Sequence, residues 1–245
     1  MKYSLPNDLD KTRIPSHIGI IMDGNGRWAQ NRKMPRLYGH GMGYRAIKPI
    51  TEASLDFGVK TLSLYAFSSE NWSRPSREVS GIMNLLKVAI KQQASELVKM
   101  GVKFIVSGRI EGISEPYKSI LEDITYLTKD CNKITMNLCF NYGGRNEIVD
   151  AIKSIAEKIK MGDLFVTDID DKLISSFMYH PEIPDPELVI RTGGESRISN
   201  FLLWEVAYSE LYITDIFWPD FTPDNLAEAI RYYQNKDRRF GGIGK

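Results

Sequence analysis

The chain has 245 residues, 42% of them hydrophobic and 26% charged, the proportions of a globular domain with enough apolar material for a sizeable core. Lys plus Arg number 32 against 31 Asp plus Glu, so there is no basic excess of the kind a general nucleic-acid binder carries. Cys131 and Cys139 have no partners at metal-ligand spacing, so neither a disulfide scaffold nor a cysteine metal site is expected, and a cytoplasmic location is the default.

Residues 1–16 are polar, carry Pro6 and Pro15 and read as an N-terminal tail without the apolar region of a signal peptide. No run approaches the ~18 apolar residues of a spanning helix. The stretch HIGIIMDGNGRW follows. Ile18–Met22 form an apolar strand that ends on Asp23 and opens into Gly24-Asn25-Gly26-Arg27. Two glycines there would let backbone N–H groups approach an anion beside Asp23 and Arg27; a tight turn with a solvated Asp and Arg is the alternative. From Ala29 to Gly43 the chain is basic and Gly-rich (Arg32, Lys33, Arg36, Gly39, His40, Gly41) and reads as a loop.

A helix is expected over Tyr44–Phe57, stopped by Gly58, with a kink at Pro49. Val59–Phe67 alternates as a strand and runs into the polar cluster Ser68-Ser69-Glu70-Asn71-Trp72-Ser73-Arg74-Pro75. A helix starts at Ser76, its N-terminus favoured by Glu78. Its broad apolar face (Ile82, Leu85, Leu86, Ala89, Ile90, Ala94, Leu97, Val98) suits either core packing or the wall of a hydrophobic tunnel. Further strands are expected at 102–108, 134–140, 188–190 and around 211–217, and further helices at 114–128, 145–160, 170–178 and 223–236. Strands alternating with helices indicate an α/β fold with a central, mainly parallel sheet. No linker or repeat divides the chain, so a single domain is expected over 17–242.

Several strand ends carry Gly, Ser, Asn or Arg: DGNGR, SSENWSR, NYGGR and RTGGESR. Parallel strands bring such ends to one edge of the sheet. Arg27, Arg36, Arg74, Arg191 and Arg197 would converge there, and guanidinium forks match phosphate oxygens. So many forks suit two anionic groups better than one. Asp23 and Glu210 add carboxylates of the kind that bind Mg²⁺. There is no P-loop, no complete GxGxxG, no HExxH and no GxSxG. The acids of DIDDK (168–172) lie at a helix start, where they favour the dipole. His40 lies in the basic stretch and could meet a phosphate; His17 and His180 read as structural.

HIGIIMDGNGRWA, YAFSSENWSRP, FNYGGR, LVIRTGGESRISNFLLW and AYSELYITDIFWPDF together resemble the cis-prenyltransferase family, in particular its bacterial undecaprenyl-diphosphate synthases. The similarity runs from about Pro15 to Gly242. It implies a fold with a hydrophobic product tunnel and a Mg²⁺-dependent condensation of isopentenyl diphosphate onto an allylic diphosphate, usually farnesyl diphosphate. The product implied is a long polyprenyl diphosphate, undecaprenyl diphosphate for the cell-wall lipid carrier. A shorter or longer product, or a non-catalytic accessory subunit, are the alternatives; the intact DGNGRW speaks against the last.

The resemblance makes Asp23 the Mg²⁺-linked acid, with Gly24, Asn25, Gly26, Arg27, Arg36 and His40 holding the allylic diphosphate and Trp28 near the allylic chain. It places Ser68, Ser69 and Glu70 on a mobile loop, and Asn71 where a proton leaves isopentenyl C2, beside Trp72 and Arg74. Arg191, Arg197, Ile198 and Ser199 would bind isopentenyl diphosphate. Glu210 would reach the Mg²⁺ site through a homodimer partner, and product would be released at a membrane surface. Ser196 stands where many bacterial members carry a His linked to the metal, which puts a third protein ligand in doubt. Arg239-Phe240-Gly241 resembles a C-terminal element that completes the neighbouring subunit's site.

Overall fold

The computed structural model describes residues 2–236; the Arg239-Phe240-Gly241 element lies outside them. Among the described residues the chain forms a six-stranded sheet in the order β3-β4-β2-β1-β5-β6. The strands are β1 (His17–Ile21), β2 (Thr61–Ser68), β3 (Val102–Ser107), β4 (Ile134–Tyr142), β5 (Leu188–Arg191) and β6 (Glu210–Ile213). Every pairing is parallel. β1 is buried along its whole length, as a central strand covered on both faces must be. Its neighbours β2 and β5 come from opposite directions of chain progression, so the loops after β1, β2 and β5 meet at one crevice. In register, Ile21 lies beside Tyr65 and Arg191.

One face of the sheet carries Ile18, Ile20, Leu62, Leu64, Met136, Leu138 and Phe140. They join a large core with residues of α2 (Arg36–Phe57), α3 (Ser76–Met100), α4 (Tyr117–Leu127) and α7 (Pro223–Gln234). The opposite face carries a smaller cluster around Ile21, Cys139, Tyr142, Val189 and Phe201. The remaining helices are α1 (Asn25–Asn31), α5 (Gly144–Met161) and α6 (Asp171–Ser176). Gly58 (φ 99°) and Gly101 (φ 75°) end α2 and α3 in the left-handed conformation, the stop expected of a glycine after a helix. α2 continues through Pro49 to Phe57.

The largest departure from the sequence reading is the stretch 29–43. It is not a loop: α1 runs to Asn31 and α2 begins at Arg36. Its glycines serve close packing. A Cβ at Gly39 would lie 1.9 Å from the Asn25 carbonyl oxygen, and one at Gly43 would lie 2.0 Å from Asn25 Oδ1. Glycines four residues apart on one helix face thus let α1 sit directly on α2. Residues 2–16 are likewise more than a tail. Leu9 is buried in the core, and the Gln234 side chain on α7 bonds both the N–H (3.0 Å) and the carbonyl (2.8 Å) of Asp10.

His17 and His180 are held as structural groups. The His17 ring lies 2.6 Å from the Pro184 carbonyl and 2.8 Å from Ser63 Oγ, and burial pushes its pKa down to about 4. His180 Nε2 lies 3.0 Å from the Val106 carbonyl. Cys131 and Cys139 are both free. Among the described residues no helix is long and apolar enough to cross a membrane.

Candidate active site

The site begins where β1 stops. Gly24 takes φ 99°, and a Cβ there would lie 2.5 Å from the Phe217 ring, so both conformation and space require glycine. That turn lets the Gly24 N–H donate to Asp23 Oδ1 (2.6 Å). The other carboxylate oxygen accepts from Arg191 at 2.8 Å and lies 3.5 Å from Arg27. Thr192 Oγ1 donates to the Asp23 carbonyl (2.8 Å). Asp23 is fixed from four directions, yet its side chain stays about one-third exposed, facing the crevice.

Arg191, at the end of β5, is the most buried cation of the site, with a side chain only 6% exposed. Besides Asp23 it donates to Ser199 Oγ (2.7 Å) and to the Arg197 carbonyl. Its Nε has no hydrogen-bond partner among the described residues. A buried guanidinium is costly without full pairing, and Arg191 retains donor capacity that its protein partners do not use.

Two carboxylates whose role motif reading does not reveal organise the remaining cations. Glu78, on the first turn of α3, lies 3.3 Å from Arg36, 3.2 Å from Arg74 and 3.6 Å from His40. Burial works against its ionisation, but Arg36 and Arg74 outweigh burial and hold its pKa below 4.5. Glu195, inside RTGGESR, pairs with Arg197 (2.6 Å) and Arg27 (3.4 Å). His40 is pushed the other way: burial, then the charge of Arg74, lower its pKa. Both effects disfavour the charged imidazolium before an anion binds.

These groups frame a polar pocket of about 300 Å³, lined by Asp23, Gly24, Asn25, Gly26, Arg36, His40, Ser68, Asn71, Arg74, Arg191, Arg197 and Ser199. An apolar cavity of about 130 Å³ adjoins it, and Met22, Asn25, His40, Tyr65, Ala66 and Ile82 line both. The cavity descends between α2 and α3 on one side and Leu64, Phe104, Met136, Leu138 and Phe140 on the other. The apolar face of α3 is thus a cavity wall as well as core: Ile82, Leu85, Leu86, Ala89, Ile90 and Leu97 line the space, whereas Val98 is exposed.

The other sequence-derived positions lie around the pocket, not in its wall. Arg27 stacks over Phe217 and pairs with acids. Trp28 is turned away from both spaces, buried against Tyr38 and beneath Arg32. Glu70 bonds Asn200, and Trp72 bonds Asn141. Ser69 faces Gly143, where a Cβ would come within 2.7 Å of its hydroxyl. Ile198 packs into the smaller apolar cluster, and Ser196 is exposed. Glu210 starts β6 beside Leu188, whereas Ile213 is the residue level with Arg191. It therefore lies three residues, about 10 Å, below the site of its own chain. Tyr65, Phe67 and Thr192 also touch the site; sequence reading assigns them only to strands and turns.

The donor set limits how a metal could be held. Among the described residues no three His, Cys, Asp or Glu side chains are grouped to hold an ion. Among the described residues Asp23 alone presents carboxylate oxygens to the pocket. That suits Mg²⁺, which binds through one or two carboxylates and completes its shell with substrate phosphates and water. It does not suit an ion that demands an all-protein cage.

A doubly covered parallel sheet with an arginine-lined pocket opening into an apolar cavity defines a binding site for an amphiphile with an anionic head. Comparison with known proteins makes the class specific. The family model described as "Putative undecaprenyl diphosphate synthase" matches residues 21–241. The chain is 48% identical over 240 residues to an isoprenyl transferase of Prochlorococcus marinus, covering 98% of this chain and 88% of the relative. It is 47% identical over 238 residues to the farnesyl-diphosphate-specific ditrans,polycis-undecaprenyl-diphosphate synthase of Lactiplantibacillus plantarum, covering 96% and 92%. The crystal structure of lavandulyl diphosphate synthase from Lavandula x intermedia with dimethylallyl diphosphate superposes with a TM-score of 0.90 at 30% identity, covering 94% of this chain and 99% of that one. The chain belongs to the undecaprenyl diphosphate synthase family and is a prenyltransferase.

Proposed function

We propose that the protein extends an allylic diphosphate, farnesyl diphosphate by preference, with successive isopentenyl diphosphate units to give a long polyprenyl diphosphate, undecaprenyl diphosphate. The observation that carries this reading is the continuity of the arginine-lined pocket with the apolar cavity. A diphosphate head and a growing hydrocarbon chain need those two environments side by side. The names of the relatives, one of them farnesyl-specific, support the same reaction, as does the allylic diphosphate bound to the structural neighbour.

In this reading the allylic diphosphate lies against Gly24–Arg27, Arg36 and His40, with its chain entering the cavity past Met22 and Ile82. Isopentenyl diphosphate lies on Arg191, Arg197 and Ser199. Asp23 would hold Mg²⁺ together with the substrate phosphates, and the bound ion would supply positive charge against the negative charge that develops on the leaving diphosphate. Arg36 and Arg74 exchange Glu78 for phosphate oxygens and stabilise the same charge from fixed positions. The apolar wall keeps water from the allylic carbon. Asn71 is a poor base, so its amide orients isopentenyl diphosphate while a phosphate oxygen takes the C2 proton. The His40 ring donates a hydrogen bond to the allylic diphosphate.

The working unit in this reading is a homodimer. Leu211 and Ile213 on the edge strand β6, with Tyr208 beside it, are exposed, and Glu210 begins the same strand. A facing copy would cover them and bring Glu210 to the neighbouring Mg²⁺ site. The apolar product would leave at a membrane surface from the cytoplasm. Purified protein incubated with Mg²⁺, farnesyl diphosphate and isopentenyl diphosphate should yield polyprenyl diphosphates of undecaprenyl length by thin-layer or mass analysis. Absence of elongation would remove the reading, and a shorter or longer ladder would correct its product.

A further inference from the structure

The short turn over residues 69–73 carries Asn71 into the polar pocket. Two asparagines, Asn141 near the end of β4 and Asn200 in the loop after β5, brace it there. Asn200 donates from Nδ2 to Glu70 Oε1 (2.8 Å). Its Oδ1 accepts from the Arg145 N–H (2.9 Å), and its carbonyl accepts from the Gly144 N–H (2.8 Å). Asn141 Oδ1 accepts from Trp72 Nε1 (2.7 Å), and its Nδ2 donates to the Arg109 carbonyl (2.7 Å). Both asparagines are left-handed, with φ 63° and 48°, a conformation Asn tolerates better than most side chains.

The chemistry at Asn200 requires a carboxamide. A backbone N–H on one side needs an acceptor, and a carboxylate on the other needs a donor; Asn supplies both on one planar group. Asn200 also follows Ser199, itself left-handed (φ 49°), whose hydroxyl accepts from Arg191. The same short segment therefore touches the Arg191 fork and the turn that bears Asn71. Within the turn, the Ser73 hydroxyl donates to the Glu70 carbonyl (2.7 Å) and Asn71 Oδ1 accepts from the Ser68 N–H (3.3 Å). Glu70 is thus tied to the geometry that aims Asn71.

We propose that Asn200 is a positioning residue. Its side-chain amide latches the 69–73 turn to the loop bearing Arg191, Arg197 and Ser199, so that Asn71 and the isopentenyl-diphosphate grip move as one unit. The proposal rests on the functional reading above only in assigning both loops to one reaction. Asn141 provides a second, independent hold through Trp72.

The polarity of the bond supplies the test. Asn200→Asp keeps the acceptor for Arg145 N–H, at a helix N-terminus where a carboxylate is favoured, but sets two carboxylates face to face. Adding Glu70→Gln restores the bond in reverse, with an amide at position 70 donating to the carboxylate at position 200. Amide hydrogen exchange over residues 69–73 should be about tenfold faster in N200D than in the unmodified enzyme. It should return to within about twofold in E70Q/N200D. Glu70→Ala, which removes the partner from the exposed side, should speed exchange as N200D does. In steady-state assays N200D should lower kcat about tenfold in the unmodified background and much less in the E70Q background, with KM for the allylic diphosphate unmoved. Equal exchange in all these proteins, or the same kcat loss in both backgrounds, would overturn the latch. If the unmodified enzyme did not turn over, the functional reading would fall, and the exchange comparison alone would decide the latch.

Discussion

The polar pocket and the apolar cavity share lining residues, yet they are built by opposite rules. Nearly every charged group in the pocket is already paired: Asp23 with Arg191 and Arg27, Glu78 with Arg36 and Arg74, Glu195 with Arg197. An incoming anion exchanges for partners already in place, so position and fork geometry govern what it gains. The cavity has no such addresses. Beyond the mouth it shares with the pocket, its wall is mostly Leu, Ile, Ala, Met and Phe side chains, with Tyr44, Gln93 and Trp218 among them, and the apolar groups set volume and little else. The pocket should therefore respond to single polar changes with large losses of rate. The cavity should respond to changes of size with altered products.

The largest effect is expected at Asp23. Asp23→Ala removes the one carboxylate that lines the pocket among the described residues and leaves Arg191, almost wholly buried, with a missing partner. Turnover should fall by at least about 10²–10³-fold, measured as incorporation of labelled isopentenyl diphosphate. Arg191→Lys comes next. An ammonium cannot serve Asp23, Ser199 and an anion in the same fork. KM for isopentenyl diphosphate should rise about 10- to 100-fold, with a much smaller change for the allylic substrate.

Ala89 marks the other side of the comparison. It lines the cavity on α3 and is 2% exposed. Ala89→Leu should shorten the product ladder while the first condensation changes only a few-fold, at a cost of about 1–3 kcal/mol in stability from overpacking. A shortened ladder from a pocket variant, or an unchanged ladder from this one, would break the division between the two regions.

The smallest effect lies outside both. Burial, then the charge of Glu147, hold the Glu205 pKa well above its usual 4.5. In the unfolded chain Glu205 ionises near 4.5, so above that pH the folded state binds the extra proton. Its stabilising contribution is complete below pH 4.5 and is lost as pH rises through the raised native value. Glu205→Gln should remove that decline and raise Tm by a few degrees at neutral and alkaline pH, with activity unchanged.

The two regions also differed in how far the sequence disclosed them. Residues such as Asp23, Arg36, Arg191 and Ser199 sit at strand ends or in the loops and helix starts that follow, where topology dictates convergence, so motif and alternation together located the pocket. Core wall and tunnel wall share one periodicity, so Ile82–Leu97 could be read as apolar but not as enclosing space; that needed the positions of α2 and the sheet. The stretch 29–43 was misread because glycine marks both loops and close helix contacts, and only Asn25 lying against Gly39 and Gly43 decides between them. Glu78 and Glu195 each have one partner close in sequence, Arg74 and Arg197, but their second partners, Arg36 and Arg27, lie 42 residues and 168 residues away and leave no local signal. Trp28 belongs to the motif, but membership of the motif does not tell which side of α1 its ring takes; it packs against Tyr38 and Arg32 and lines neither space.

In the proposed reaction one ligand spans both regions, head in the pocket and chain in the cavity. A crystal structure with Mg²⁺ and a non-hydrolysable thio analogue of farnesyl diphosphate tests it most directly. The diphosphate should lie against Gly24–Arg27 and Arg36, with the farnesyl chain between α2 and α3 in contact with Ile82 and Ala89. A chain lying outside the cavity, or a diphosphate held away from Asp23 and Arg36, would contradict it.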